Sequence, residues 1–139
     1  HLVYSADGHK GESRIFVRKE GEWRFPPMES EQALRYLSLY IEGYRQGMNK
    51  PLLVLPESGG AWIKACYDAQ NDAMLTDEAS LQKARSKFMQ AYEGNMMVRG
   101  EGEDVWYQRL WRTLEPEYFE AITEEAQRYL LPLFKFNQS

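Results

Sequence analysis

The sequence predicts an α+β fold in which a β-hairpin and one short extended segment are covered by about five helices. Apolar residues recur at helical spacing in several separate stretches, whereas β-branched and aromatic residues concentrate in one short stretch near the N-terminus. The chain has 139 residues, of which 43% are hydrophobic and 27% are charged. That length suits one compact domain rather than two, so we expect residues 1–139 to form a single domain.

The β-hairpin is predicted in residues 14–25. An arginine-flanked run of Ile-Phe-Val and the triplet Trp-Arg-Phe lie on either side of a short charged loop. Because side chains alternate along a strand, Arg14 and Arg18 should share one face. Pro26 and Pro27 end the second strand, since proline cannot donate to a sheet ladder.

The clearest helix is predicted in residues 29–48, where apolar residues recur at steps of three and four: Leu34, Leu37, Ile41, Tyr44 and Met48. Shorter helices are predicted in residues 61–69, from an N-cap at Thr76 to about Tyr92, and from Pro116 to about residue 130. Residues 105–112 place two tryptophans and a tyrosine at helical spacing.

The segment between the helix at residues 29–48 and the helix at residues 61–69 has no helical spacing. Residues 52–55 form an apolar run between two prolines that is too short for a helix, so they predict a buried strand or extended segment. The glycine pair in residues 58–60 predicts a turn.

Both ends of the chain are apolar. Residues 2–4 carry no charged leader, so we expect no signal peptide and a chain that is part of a longer polypeptide. At the other end, Leu133, Phe134 and Phe136 are predicted to be docked, because a free apolar end is unfavourable in water. No stretch approaches the ~20 apolar residues of a bilayer span, so no membrane is expected as a partner.

Composition argues against several kinds of site. The net charge is −4 and the pI about 5.3, so contact with nucleic acid needs a local patch or a larger assembly. The chain has a single cysteine, Cys66, which favours a reducing compartment, and we expect the cytoplasm. We also expect the Cys66 thiol to be buried and inert. His1 is terminal and His9 lies in a glycine loop, so neither is expected to act in chemistry. We expect no cofactor and no small-molecule substrate.

Metal-dependent nucleases commonly place an acidic residue two positions before a lysine on one strand. None of the seven lysines of this chain follows an acidic residue at that spacing. The acids of residues 101–104 could hold a hard cation, but a solvated loop is the favoured interpretation. Independent hydrolysis is therefore not expected, and no metal site is predicted.

Two basic groups are candidates for DNA contact, with ordinary solvated charge as the alternative for both. The hairpin supplies Arg14, Arg18 and Arg24, and the helix ending near Tyr92 supplies Lys83, Arg85 and Lys87. Each phosphate contact would add about one unit to the salt dependence of binding.

Five apolar residues are candidates for a partner interface: Trp106, Trp111, Leu133, Phe134 and Phe136. Tryptophan is a frequent anchor at interfaces. Base stacking on single-stranded DNA and packing in the core of this chain are the alternatives.

Several strings of the sequence resemble the C-terminal end of the RecC family, the gamma subunits of exodeoxyribonuclease V. The resemblance covers essentially the whole chain and is carried by residues 42–48, 51–58, 61–62, 66–74, 90–102 and 130–139.

The resemblance implies a chain without catalysis of its own inside a helicase–nuclease that repairs DNA breaks by recombination. RecC proteins scaffold the RecB and RecD motors, help to part the duplex and guide the 3′-ending strand. Their C-terminal domain is similar to a nuclease core whose catalytic residues are lost. The hairpin and extended segment would then lie at the edge of a nuclease-like sheet, with RecB, RecD and DNA as partners. A nucleic-acid-binding module that acts through the two basic groups is the alternative.

Overall fold

The computed structural model describes residues 1–18, 21–111 and 113–137, so the hairpin loop at positions 19 and 20 lies outside it. Within these residues the predicted α+β class is confirmed. The helices are α1 (Leu2–Ala6), α2 (Ser30–Gly47), α3 (Pro56–Cys66), α4 (Glu78–Glu93), α5 (Val105–Leu110), α6 (Pro116–Tyr129) and α7 (Leu131–Phe136). The strands are β1 (Ser13–Val17), β2 (Gly21–Phe25), β3 (Tyr67–Asp68) and β4 (Ala73–Met74). A 3₁₀ turn spans Glu101–Glu103.

The chain divides into two compact units. Unit 1 comprises His1–Leu52 with Lys135–Ser139, and unit 2 comprises Leu53–Phe134. The prediction that residues 1–139 form a single domain stays a prediction.

Unit 1 contains the predicted hairpin and the longest helix. Strands β1 and β2 pair antiparallel, with Arg14 opposite Arg24 and Ile15 opposite Trp23. Helix α1, which the sequence analysis did not predict, packs on α2. Only three hydrophobic residues among those described in unit 1 are buried, namely Phe25, Met28 and Ala33.

The apolar stripe that predicts α2 is mostly exposed, and only Leu37 among its members is half-buried. The buried residues of α2 are the small Ala33 and Gly43. In contrast, the side chains of Leu34 and Ile41 are 50% and 46% exposed. We call the stripe of Leu34, Leu37, Ile41, Tyr44 and Met48 the outer seam.

Unit 2 has a continuous core, in which α3 packs against α4 and α6. Its buried hydrophobic cluster consists of Leu55, Trp62, Ile63, Cys66, Ala84, Phe88, Ile122 and Ala126. Phe88 is fully buried, and its ring lies edge-on to Phe119 at a centroid distance of 5.0 Å.

The predicted turn at residues 58–60 is wrong, because these residues belong to α3, which ends at Cys66 rather than at position 69. Gly59 is buried at the contact with α6. A Cβ atom on Gly59 would lie 2.9 Å from the Cβ of Ala126 and 3.2 Å from a methyl of Leu130. The glycine therefore permits close helix packing here instead of reversing the chain.

Two other boundaries differ from expectation in detail. Helix α4 is capped by Asp77 rather than Thr76, since the Asp77 carboxylate accepts the Ser80 N–H at 2.9 Å. Residues 52–55 form no strand, although Leu55 has extended backbone angles and is fully buried. Pro116 opens α6 as predicted.

Candidate functional site

The hairpin brings Arg14 and Arg24 together on one face, because the two residues are cross-strand partners, but it surrounds them with acids. The Glu22 carboxylate lies 3.3 Å from the Arg14 guanidinium and 2.8 Å from that of Arg24. Glu12 also pairs with Arg14. Glu12 and then Glu22 raise the pKa of Arg14, because both carboxylates favour its charged form.

The third arginine of this group, Arg18, follows β1 in a turn and is exposed. The positive charge of Arg14 and Arg24 is balanced locally by Glu12 and Glu22, so a phosphate would have to compete with these carboxylates.

The basic residues of α4 do not form one patch. Lys83 and Lys87 lie four residues apart on a shared, exposed face. Arg85 lies elsewhere on the helix, with its guanidinium 5.0 Å from the centre of the Phe119 ring. Lys87 donates to Gln90 at 3.3 Å.

The acids of residues 101–104 each have a structural role. The Glu101 carboxylate accepts the N–H groups of Glu57 at 3.0 Å and Ser58 at 2.7 Å, and so caps the N-terminus of α3. Asp104 caps α5 by accepting the Trp106 N–H at 2.8 Å. Glu103 pairs with Arg99 at 3.6 Å. Within the described part of the chain, no three His, Cys, Asp or Glu side chains cluster closely enough to hold a metal ion.

Cys66 is fully buried in unit 2, and its thiol donates to the Trp62 carbonyl at 3.1 Å. Burial raises the pKa of the Cys66 thiol to about 11. The thiolate is therefore scarce at neutral pH, which makes this side chain a poor nucleophile.

The aromatic candidates of α5 differ in exposure. Trp106 is 66% exposed, and the Arg109 guanidinium lies 5.2 Å from its ring centre. Trp111 is half-buried and stacks on Tyr107 at a centroid distance of 5.9 Å. Trp106 therefore remains accessible to a partner, whereas part of Trp111 is already covered.

The C-terminal candidates are mostly used within the chain. Phe134 packs against the core of unit 2. The Phe136 ring lies edge-on to Tyr36 within unit 1, at a centroid distance of 5.0 Å. Leu133 is 40% exposed, which leaves it the most accessible of the three.

Sequence reasoning missed an apolar loop that the structure makes prominent, which we call the methionine turn (residues 95–98). Met96 and Met97 are essentially fully exposed, at 103% and 95%. The Asn95 side chain accepts the N–H groups of Met97 at 2.8 Å and Val98 at 3.0 Å. The glycines at 94 and 100, which flank the methionine turn, were the available signal.

Those two glycines pack the base of the methionine turn. Gly94 has φ of +71°, and a Cβ on it would lie 2.3 Å from the Gly100 nitrogen. The methionines are thus held outward on a turn with a closely packed base.

No helix in the described ranges is long and apolar enough to cross a membrane.

A family model for the RecC C-terminal domain matches residues 1–67 of the chain. The RecBCD enzyme subunit RecC of Escherichia coli (strain K12) is 75% identical over 139 residues, which is all of this chain and 12% of that protein.

More distant relatives carry the same description. The RecBCD enzyme subunits RecC of Buchnera aphidicola subsp. Schizaphis graminum and subsp. Acyrthosiphon pisum are 34% and 33% identical. Each match covers 97% of this chain and 12% of the relative. The chain thus spans about one eighth of the length of the curated relatives it matches.

Proposed function

Because the chain belongs to the RecC family, we propose that it forms a non-catalytic part of a RecBCD-type helicase–nuclease. In that role it contributes to subunit assembly and to guidance of a DNA strand during double-strand break repair by recombination. RecB and RecD are the proposed protein partners. The observation that carries the proposal is the 75% identity to a RecBCD subunit along the whole chain.

Exposed apolar groups support a role in assembly. Trp106 is 66% exposed, and Met96 and Met97 project from unit 2 on a closely packed turn. Isolated surface hydrophobics are common, but large aromatic and thioether side chains are enriched in interface cores. We propose that Trp106 and Leu133 contact a partner subunit.

The chemistry of the reactive groups supports the absence of catalysis by this part of the protein. Cys66 is buried with a raised pKa, and Glu101 and Asp104 are committed to helix caps. We further propose that the chain belongs to an inactive nuclease-like domain at residues 1–139, and that the protein acts in the cytoplasm. The single cysteine supports that compartment.

The distribution of charge favours one of the two DNA-contact candidates. Unit 1 carries nine Lys or Arg and seven Asp or Glu, whereas unit 2 carries eight and fourteen. The α4 group therefore lies in an acidic unit, and Arg85 is engaged with Phe119. We propose the hairpin group of Arg14, Arg18 and Arg24 as the secondary, DNA-contacting surface.

Binding assays with purified subunits test the assembly role. RecB and RecD are immobilised separately, and the 139-residue chain is applied with or without Trp106→Ala. We expect retention by one subunit and at least fivefold weaker retention of the variant, because exposed tryptophans anchor interfaces. Phe16→Ala is the control, since Phe16 is also a large exposed aromatic but lies on the hairpin.

Two outcomes would count against the proposal. Equal retention of Trp106→Ala would remove Trp106 from the interface. Tight, steeply salt-dependent binding to single-stranded DNA, with no retention by RecB or RecD, would favour the nucleic-acid-binding alternative.

A further inference from the structure

The outer seam of α2 has the spacing of a helix-packing surface. Successive members Leu34, Leu37, Ile41, Tyr44 and Met48 are separated by three, four, three and four residues. This is the a/d pattern of two heptads, which keeps one apolar line facing a partner helix. A strand would need apolar residues at steps of two instead.

Four of the five seam residues are exposed, and the fifth, Leu37, is half-buried beside Val3 and Tyr4 of α1. Tyr44 and Met48 are 69% and 70% exposed, and Leu34 and Ile41 are about half exposed. Gly43, on the far side of the helix from the seam, is buried, and so is Ala33, which lies beside the seam four residues before Leu37. Helix α2 therefore buries only small residues fully and leaves Leu34, Ile41 and Tyr44 exposed.

We propose that the outer seam docks an amphipathic α-helix supplied by the part of the RecC-type polypeptide outside these 139 residues. The inference rests on the proposed placement of the chain within such a polypeptide, and it adds an interface to that placement. The docking helix should carry apolar residues at the same three-and-four spacing. It should also place an acid opposite Arg45, which is exposed and flanks the seam one position after Tyr44.

The length of the relatives supports an intramolecular source for this helix. The chain spans 12% of the matched RecC proteins, so most of each of those proteins lies outside the matched segment. The RecC C-terminal domain model matches residues 1–67, which include all of α2. In those relatives, the segment that corresponds to α2 lies in a much longer chain.

The small core of unit 1 points in the same direction. Its buried hydrophobic residues among those described are Phe25, Met28 and Ala33, and a two-stranded hairpin adds little stability alone. If the seam were covered by RecB or RecD, this unit would expose it whenever the RecC chain is unassembled. An intramolecular helix covers it in every state of the protein.

Site-specific photo-crosslinking in a full-length protein tests the proposal. The matching segment of Escherichia coli RecC is replaced by this chain, and p-benzoylphenylalanine is placed at position 41 or 44. The matched control places it at position 42, because Glu42 is an exposed residue of the same helix outside the seam. Crosslinked peptides are identified by mass spectrometry in the free chimaera and after assembly with RecB and RecD.

We expect positions 41 and 44 to crosslink to one helical stretch of RecC outside the replaced segment, at least fivefold above position 42, in both preparations. Crosslinks to RecB or RecD, or a yield equal to that of the control, would overturn the proposal. Co-purification of the unmodified chimaera with RecB and RecD is scored separately. Loss of assembly with intact seam crosslinks would refute the proposed function while leaving this inference standing.

A second measurement does not depend on crosslinking chemistry. Limited proteolysis of the chimaera carrying Ile41→Asp and Tyr44→Asp should cleave α2 at least tenfold faster than in the parent. The variant Glu42→Gln should match the parent. Equal cleavage of all three proteins would contradict a docked helix on the seam.

Discussion

Unit 2 has a core of fully buried large apolar residues, whereas unit 1 has none that is fully buried among its described residues. In unit 2, Phe88 and Ile122 are fully buried. In unit 1, Phe16 is 79% exposed and four of the five residues of the outer seam are exposed. The contrast teaches that two segments of one chain can differ in how far their own contacts bury their large apolar residues.

The same contrast extends to charge. Unit 1 has an excess of basic residues, and unit 2 has fourteen acids against eight bases. A nucleic-acid contact is therefore expected on unit 1, whereas a self-sufficient core is a property of unit 2.

The largest effect is expected in the core of unit 2. Phe88→Ala removes a fully buried ring that contacts Phe119, and should lower the free energy of unfolding by about 3–5 kcal/mol. The matched change Phe16→Ala in unit 1 should cost less than about 0.5 kcal/mol. Urea denaturation measures both. Similar losses for the two variants would erase the distinction between the units.

A pair of glycines in α3 sharpens the account of that core. Gly59→Val should cost about 1–3 kcal/mol, because its side chain would collide with Ala126 and Leu130. Gly60→Ala should stabilise by about 0.5–1 kcal/mol, since the nearest atom, of Phe134, lies 3.8 Å away and alanine favours the helix. Thermal melts that move in the same direction for both would contradict the packing described for Gly59.

On unit 1, the carboxylate of Glu22 is predicted to hold back DNA binding. Glu22→Gln frees Arg14 and Arg24 from a shared partner and should strengthen binding to single-stranded DNA several-fold at low salt. Arg18→Gln should reduce the slope of the logarithm of the binding constant against the logarithm of salt concentration by about 0.7. Lys87→Gln in unit 2 is the control and should change neither quantity. Unchanged binding in Glu22→Gln would remove the hairpin from the list of DNA contacts.

The smallest effect concerns the cap of α4 in unit 2. Hydrogen bonds from Ser80, through its side chain and its backbone N–H, hold the pKa of Asp77 below its ordinary value. The ionised Asp77 carboxylate therefore stabilises the fold above its pKa in the unfolded chain, about 3.9. This contribution is lost as pH falls through the pKa of Asp77 in the folded protein. Asp77→Asn keeps a capping oxygen but does not titrate, so its stability should fall less between pH 6 and pH 3. If the free energy of unfolding fell equally with pH in the parent and in Asp77→Asn, the capping role of Asp77 would be contradicted.

Prediction from the sequence succeeded for the elements whose local sequence signals are sufficient to specify them. The hairpin, α2 and the start of α6 at Pro116 all follow from strand composition, helical spacing and a favoured N-terminal proline. The turn at residues 58–60 was wrong because close contact with Ala126 at Gly59, and a cap from Glu101, are long-range effects. No local pattern reports them.

The candidate sites were harder to predict for a related reason. The sequence placed Arg14, Arg18 and Arg24 on the hairpin, but the approach of Arg14 and Arg24 to each other and to Glu22 depends on strand register. The outer seam was visible as a periodic stripe, yet periodicity does not say whether the stripe faces the chain itself or something else. Its exposure had to come from the structure.

Amide hydrogen exchange of α2 tests the contrast between the units most directly. It is measured in the 139-residue chain and in the full-length chimaera, with α4 as the internal reference. We predict at least tenfold slower exchange of α2 in the chimaera and little change in α4. Equal protection of α2 in the two proteins would contradict the dependence of unit 1 on the rest of the polypeptide.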